Sequence, residues 1–326
     1  MKPPPLDPSR ARTSSLKRLA RKVTRSQFAT PLASGASIGE FFAALPDVLA
    51  ASQFRQLARA IADTHRNRRT FLLMTGGHPL KVGLGPLIRD LIHDGVITAL
   101  ATNGAAIIHD FELAMIGRTS EDVAAQLLDG SFGMAEETGA FLNQAAIDAA
   151  RDGIGLGAAV GRAISDGNLK FRDASIFAAA CDAGIPATVH VTLGADIIHM
   201  HPSADGAALG QSTFTDFHRL ATVVSGLSRG VVLNLGSAVV MPEVFLKALN
   251  LARNLGHRVD DFTAADMDFV RQYRPRMNVV ERPTIGSGHG ISLTGHHELM
   301  FPLLVAAVRE ELANPPARAR RRRSER

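Results

Sequence analysis

Between about residue 70 and residue 236 the chain alternates short, unbroken apolar runs with longer stretches whose apolar residues recur every three or four positions. Four runs predict buried strands: "TFLLM" (70–74), "VITALAT" (96–102), "PATVHVTL" (186–193) and "GVVLNLG" (230–236). The segments "GPLIRDLIHDG", "DASIFAAACDAG", "FTDFHRLATVVSGL" and "MPEVFLKALNLARNLG" carry helical spacing instead. Strands joined through helices of this length form βαβ units, which requires a parallel sheet. Two helices, "SIGEFFAALPDVLAA" and "SQFRQLARAIADTHRN", precede the first strand, with Ser37 and Ser52 placed as N-caps. "SEDVAAQLL" and "GMAEETGAFLNQAAIDAARDG" make residues 118–170 a helical excursion, and "ELMFPLLVAAVREELA" (298–313) predicts a last helix returning to the sheet. The expected fold is α/β: a Rossmann-like, doubly wound parallel sheet with helices on both faces.

Punctuation and charge set the boundaries. Residues 1–35 read as a basic, partly disordered extension in which "MKPPPLDPSR" cannot form a helix and "LKRLARKV" forms at most a short amphipathic one. Residues 36–313 read as one α/β domain, and 314–326 as a disordered Arg-rich tail. The formal charge of +5 misleads. Residues 1–26 hold eight Lys and Arg against Asp7, and "ARARRRRSER" holds six Arg against Glu325, so the body between them is acidic. With no Trp and a single Tyr273, nothing outside the tails suits specific nucleic-acid binding. No apolar run reaches the roughly 18–20 residues of a membrane span, and the start lacks the apolar core of a secretory signal. A cytoplasmic protein is expected. Cys181 is the only cysteine, which excludes an intramolecular disulfide, fits a reducing compartment, and reads as a buried small apolar residue.

Candidate chemistry lies where strands end. "TGGHPLKVGLG" (75–85), "TNGAA" (102–106), "TLGAD" (192–196) and "LGSAVV" (235–240) leave strand ends with small residues, which lets a phosphate or ribose approach the backbone. None matches a standard fingerprint, since Lys81 is followed by Val82, and tight turns use small residues for their own sake. In "IIHDFE", His109 stands beside Asp110 and Glu112. These are either an acid–base group with two carboxylates or a solvated first helical turn. On an extended strand, His199 and His201 of "DIIHMHP" would share one face and suit two ligands of one metal. His289, His296, His297 and Glu298 in "GHGISLTGHHE" line either a metal site or a polar pocket. Lys81 reads as a ligand for a carboxylate or phosphate, or as a solvent-facing turn residue.

In order and spacing, "TFLLMTGG", "GPLIRDLIHDG", "VITALAT", "NGAAIIHDFE", "SIFAAACDAGIPATVHVTLGADI", "GVVLNLGSAVVMPEVFLKA" and "FPLLVAAV" resemble the deoxyhypusine synthase family over residues 36 to 310. "NGAAIIHDFE" is also similar to a segment of the archaeal NAD-dependent ornithine cyclodeaminases. The resemblance implies a homotetramer or dimer with NAD and substrate at the dimer interface. It places Gly83, Thr102, Asn103, Gly104, Asp196, Gly236 and Ser237 against NAD. It places His109, Asp110 and Glu112 near cofactor and amine; Lys81, His199, His201, His296 and His297 are expected from their own chemistry to line the substrate pocket.

The chain departs from the family where the family's lysine forms its covalent imine. No lysine follows Lys247, only arginines occupy "YRPRMNVVERPTIGSGHG", and arginine stays protonated. Pro242 and Glu243 stand where the family has a histidine after the fourth turn, and His296 where it has an aspartate. The expectation is an NAD-dependent enzyme acting on a small amine or amino acid through an imine, distinct from standard deoxyhypusine synthesis. A metal-dependent hydrolase or lyase using His199 and His201, and a non-catalytic nucleotide-binding protein, are the alternatives.

Overall fold

The computed structural model describes residues 3–314, so the Arg-rich stretch 315–326 lies outside the described residues. Six strands form one all-parallel sheet in the order β3-β2-β1-β4-β5-β6. They are β1 (Phe71–Thr75), β2 (Ala99–Asn103), β3 (Ala187–His190), β4 (Val231–Leu235), β5 (Thr263–Asp268) and β6 (His289–Thr294). This is the order of the doubly wound dinucleotide fold, in which the chain reverses direction between β1 and β4. Side chains alternate between two cores. Phe71, Leu73, Leu100, Val231, Leu233 and Met267 face one, and Leu72, Met74, Ala99, Ala101, Val232 and Ala264 face the other.

Helices cover both faces. α1 (Ile38–Ala44), α2 (Leu49–Arg66), α3 (His78–Lys81), α4 (Gly85–His93) and α5 (Gly104–Ile116) surround the first two strands in sequence. The excursion holds α6 (Val123–Gln126), α7 (Glu136–Asp152) and α8 (Leu156–Asp166). α9 (Ile176–Asp182), α10 (Gly206–Ser225), α11 (Val240–Asn254), α12 (Tyr273–Pro275) and α13 (His297–Ala313) complete the set. The second core takes its helical residues from α10, α11 and the π-helical turn Arg276–Glu281, which adds Val279 and Val280. Among the described residues no helix is long and apolar enough to cross a membrane.

Several expectations change. Ser37 caps α1 through a reciprocal capping box with Glu40. Ser52 caps nothing, because α2 already begins at Leu49, just after Pro46 and the break it makes. "LKRLARKV" contains only a three-residue 3-10 turn, Leu16–Arg18, and "SEDVAAQLL" shrinks to α6. β5 and β6 were not foreseen. Their C-terminal halves carry Asp266, Asp268, Ser292 and Thr294, which break an apolar pattern, yet every residue of β5 is buried. Cys181 is exposed, since it sits on the outward side of α9.

Two buried aspartates tie helix starts to the sheet layer. Asp110 on α5 accepts from the backbone N–H of Ile176 at 2.8 Å and from the Ser175 hydroxyl, at the N-terminus of α9. Asp216 on α10 accepts from the N–H groups of Gly157 and Val189, both at 2.8 Å, joining α8 and β3. A Cβ on Gly155 would fall 1.7 Å from its other oxygen, so the packing excludes any side chain there.

Burial raises Asp216 from 3.8 to about 7, its hydrogen bonds opposing the shift. A carboxyl raised on folding is favourable when protonated, so its contribution is lost as pH rises from about 4 towards 7. Asp216→Asn removes this dependence. Its stability relative to the unsubstituted chain, measured by urea unfolding at pH 4.5 and 7.5, should rise on the order of 1–3 kcal/mol between the two. A pH-independent difference would contradict the assignment.

Candidate functional site

The carboxyl ends of β1 and β4 flank the switch point, and glycines close it from both sides. A Cβ on Gly76 would lie 2.7 Å from the carbonyl oxygen of Gly236. One on Gly77 would lie 2.8 Å from Cδ2 of His109, and one on Gly236 2.8 Å from Cε1 of His297. Gly236 also holds a φ of +66°, a left-handed conformation that disfavours other residues. Backbone from two turns and imidazoles from two helices thus meet at one crevice.

Next to it, Asn103 caps α5 by accepting from the Ala106 N–H at 3.2 Å. The Asp196 carboxylate packs onto Gly104 so closely that a Cβ there would be 2.1 Å from Oδ2. That oxygen is buried without a hydrogen-bond partner, and burial raises the Asp196 pKa. A lone buried acceptor at a helix start calls for a donor, such as a hydroxyl.

His109 lies in the second turn of α5, since the helix starts at Gly104, so the solvated first-turn reading does not apply. Its Nδ1 is 2.7 Å from the Thr119 hydroxyl, which in turn donates to Glu112 Oε2 at 2.5 Å. Because that hydroxyl gives its proton to the carboxylate, Nδ1 carries the hydrogen and Nε2 keeps the lone pair. Nε2 neighbours the Cδ2 that packs on Gly77. Burial, with the charges of Lys81 and His78 adding to it, lowers His109 to about 4, so the ring is neutral at pH 7.

Glu112 is buried, and burial raises its pKa with the neighbouring Glu121 adding to the rise. Both glutamates line a cavity of about 740 Å³ together with Arg118, Thr119, Gln126 and Thr138. Oε1 of Glu121 and Oε1 of Gln126 are buried there without partners. Asp110 faces elsewhere, fixed on the α9 N-terminus, and its pKa is raised to about 6 by burial.

The remaining sequence candidates separate. Gly83 occupies an open turn with φ +82° and nothing near it, and exposed Lys81 stands close enough to His109 to act on its charge. The Thr102 hydroxyl is turned onto the Asn103 carbonyl, and Ser237 accepts from the Met241 N–H at the start of α11. His199 and His201 are not on a strand. β3 ends at His190, His199 sits in a 3-10 turn accepting from the Gly194 N–H, and His201 bonds Ser203 beside Gly139. Because neither histidine lies on a strand, the shared-face premise of the metal reading fails, and among the described residues no three His, Cys, Asp or Glu side chains are grouped to hold a metal. His296 is exposed and stacks on Phe269, whereas His297 is buried.

Sequence reasoning missed Thr119, Glu121, His78, Asn234, Asp266 and Asp268. The available signal was two acids in "AADMD", two residues apart in an otherwise apolar run, which puts both on one face of a strand.

No family model and no curated protein sequence matches the chain. Solved structures do. A conserved protein given the LOR/SDH designation from Methanococcus maripaludis S2 is 14% identical, with a TM-score of 0.52 over 81% of this chain and 71% of its own. AgrE, solved in a ternary complex with ornithine and NAD+, is 13% identical, with a TM-score of 0.51 over 82% of this chain and 34% of its own. A protein designated a deoxyhypusine synthase from Entamoeba histolytica is 14% identical, with a TM-score of 0.48 over 84% and 93% of the two chains. The chain spans about a third of the length of AgrE. At these identities the likeness to the first two is a likeness of fold.

Two glycines with positive φ test the crevice geometry. Gly236→Ala adds a collision with His297 to the backbone strain and should lower stability by roughly 2–4 kcal/mol. Gly83→Ala adds only the strain and should cost about 1 kcal/mol. Equal losses in thermal unfolding would contradict the close approach at Gly236.

Proposed function

We propose that the chain binds NAD across the crevice between β1 and β4 and acts on a small amine or amino acid through an imine. The observation that carries this reading is the strand order itself, with glycine turns meeting on either side of its switch point. The residues present suit the cofactor. Side-chain-free glycine turns bring the ends of β1 and β4 together at the switch point, and the unpartnered Asp196 oxygen at the start of α5 suits a ribose hydroxyl. The fold likeness to AgrE, a protein solved with ornithine and NAD+, supports the same choice.

NAD, when bound, supplies an acceptor for a hydride from a carbon next to nitrogen. The chain's own residues would do the rest. Glu112 and Glu121, in a cavity with unpartnered acceptor oxygens, attract and orient a cationic nitrogen. Thr119 holds His109 in the tautomer whose Nε2 accepts a proton beside Gly77. With no lysine after Lys247, the imine stays on the small molecule rather than passing to this stretch of the protein. Assembly belongs to the same reading. Leu193, Val239, Phe269, Val270 and Leu299 are exposed just beyond the strand ends, an apolar rim suited to another copy.

The test is absorbance of reduced nicotinamide when the purified chain and NAD+ meet a panel of diamines, amino acids and guanidino compounds. At least one cationic amine should give turnover. His109→Asn should lower it roughly 10²–10⁴-fold without weakening NAD+ binding, and Glu112→Gln should raise KM for the amine about tenfold or more. Turnover unaffected by both substitutions would contradict the roles given to them.

A further inference from the structure

A second group of ionisable side chains sits at the crevice, outside the His109 chain. His297, the first residue of α13, is 1% exposed, and neither ring nitrogen makes a hydrogen bond of ordinary geometry. A buried imidazole normally finds a partner, and leaving one unsatisfied costs roughly 1–3 kcal/mol. The nearest anion is Asp268 Oδ1, 3.4 Å from Nε2. Asp268 is fixed in turn, since the same oxygen accepts from the Phe269 N–H at 2.8 Å.

Behind it runs a buried polar row. Asp266, two residues earlier on the same face of β5, accepts from Asn234 Nδ2 at 2.8 Å, and Asn234 is its cross-strand neighbour on β4. Burial raises Asp266 to about 7, and the charge of Asp268 adds to the rise. In front, the ring of exposed His78 lies 5.3 Å from the ring of His297, a gap that one water molecule or a rotation of His78 closes.

From this geometry we infer that His297, paired with Asp268, is a second proton-transfer centre of the crevice, exchanging its proton with solvent through His78. A proton taken up on the ring forms an imidazolium beside Asp268, and its release through His78 restores the neutral ring, so the pair ends each cycle unchanged. The inference rests on the crevice being the reaction site, but its test does not depend on turnover. The charged groups that face His297 are Asp268 on β5, His78 on α3 and Glu298 on α13. Burial lowers its pKa and His78 lowers it further, while Asp268, the nearby Met267 carbonyl and Glu298 oppose. Gly236 presents backbone alone, which is what leaves room for the ring.

Hydrogen–deuterium exchange at histidine C2, read by mass spectrometry on the full chain between pH 5 and 9, reports the protonation and solvent access of each ring. For His297 a sigmoid with its midpoint below 6.5 is expected. Asp268→Asn should move that midpoint down, and His78→Ala should move it up, each by about half a unit or more. Because His78 is exposed, its variant keeps the comparison available if Asp268→Asn fails to fold. A His297 rate that is flat with pH in the unsubstituted chain, or indifferent to both variants, would identify a sealed structural histidine and overturn the inference. If calorimetry shows no NAD+ binding while the His297 response and its two shifts persist, the nucleotide reading falls and the proton-transfer pair stands.

Discussion

The two turns at the switch point approach each other to within the space of a single carbon. Gly76 meets the Gly236 carbonyl, Gly77 meets His109, and Gly236 meets His297. Each contact requires the absence of a side chain, and together they bring two imidazoles, from α5 and α13, to the ends of adjacent strands. The fully buried strands β1 and β4 make this possible, because five residues of each, locked in parallel register, leave their exit turns little freedom.

Electrostatics follows from that crowding. Burial disfavours a charge, so it moves each titratable group there towards its neutral form. His109 and His297 are lowered, while Glu112, Asp196 and Asp266 are raised, and burial is the first cause in all five. Unpartnered oxygens on Asp196, Glu121 and Gln126 mark where donors are missing, and all three belong to the crevice or the cavity beside it. The two other buried carboxylates that bind helix starts, Asp110 and Asp216, serve the packing instead.

Much of the fold was legible in the sequence because β1 to β4 are short apolar runs punctuated by small-residue turns. β5 and β6 were not, because the polar residues in their C-terminal halves interrupt the pattern that would reveal a strand. The site was legible in part. "IIHDFE" drew attention to α5, but nearness in sequence could not tell that Asp110 turns to α9 while Glu112 turns through Thr119 to His109. On a helix, residues two apart face different directions, whereas His109 and Glu112, three apart, share a face. His199 and His201 misled for the opposite reason, since a shared face was assumed for a strand that had already ended at His190. Asp268 and His297 lie 29 positions apart, and only the pairing of β5 with β6 brings them together.

The decisive measurement is calorimetric titration of the nucleotide-stripped chain with NAD+, run alongside Gly77→Val. Saturable micromolar binding by the unsubstituted chain is expected, with its loss in the variant, whose side chain collides with the His109 ring and Ala105 and displaces the ring. Absence of binding by the unsubstituted chain, or equal binding by a folded Gly77→Val, would contradict the crevice as the cofactor site.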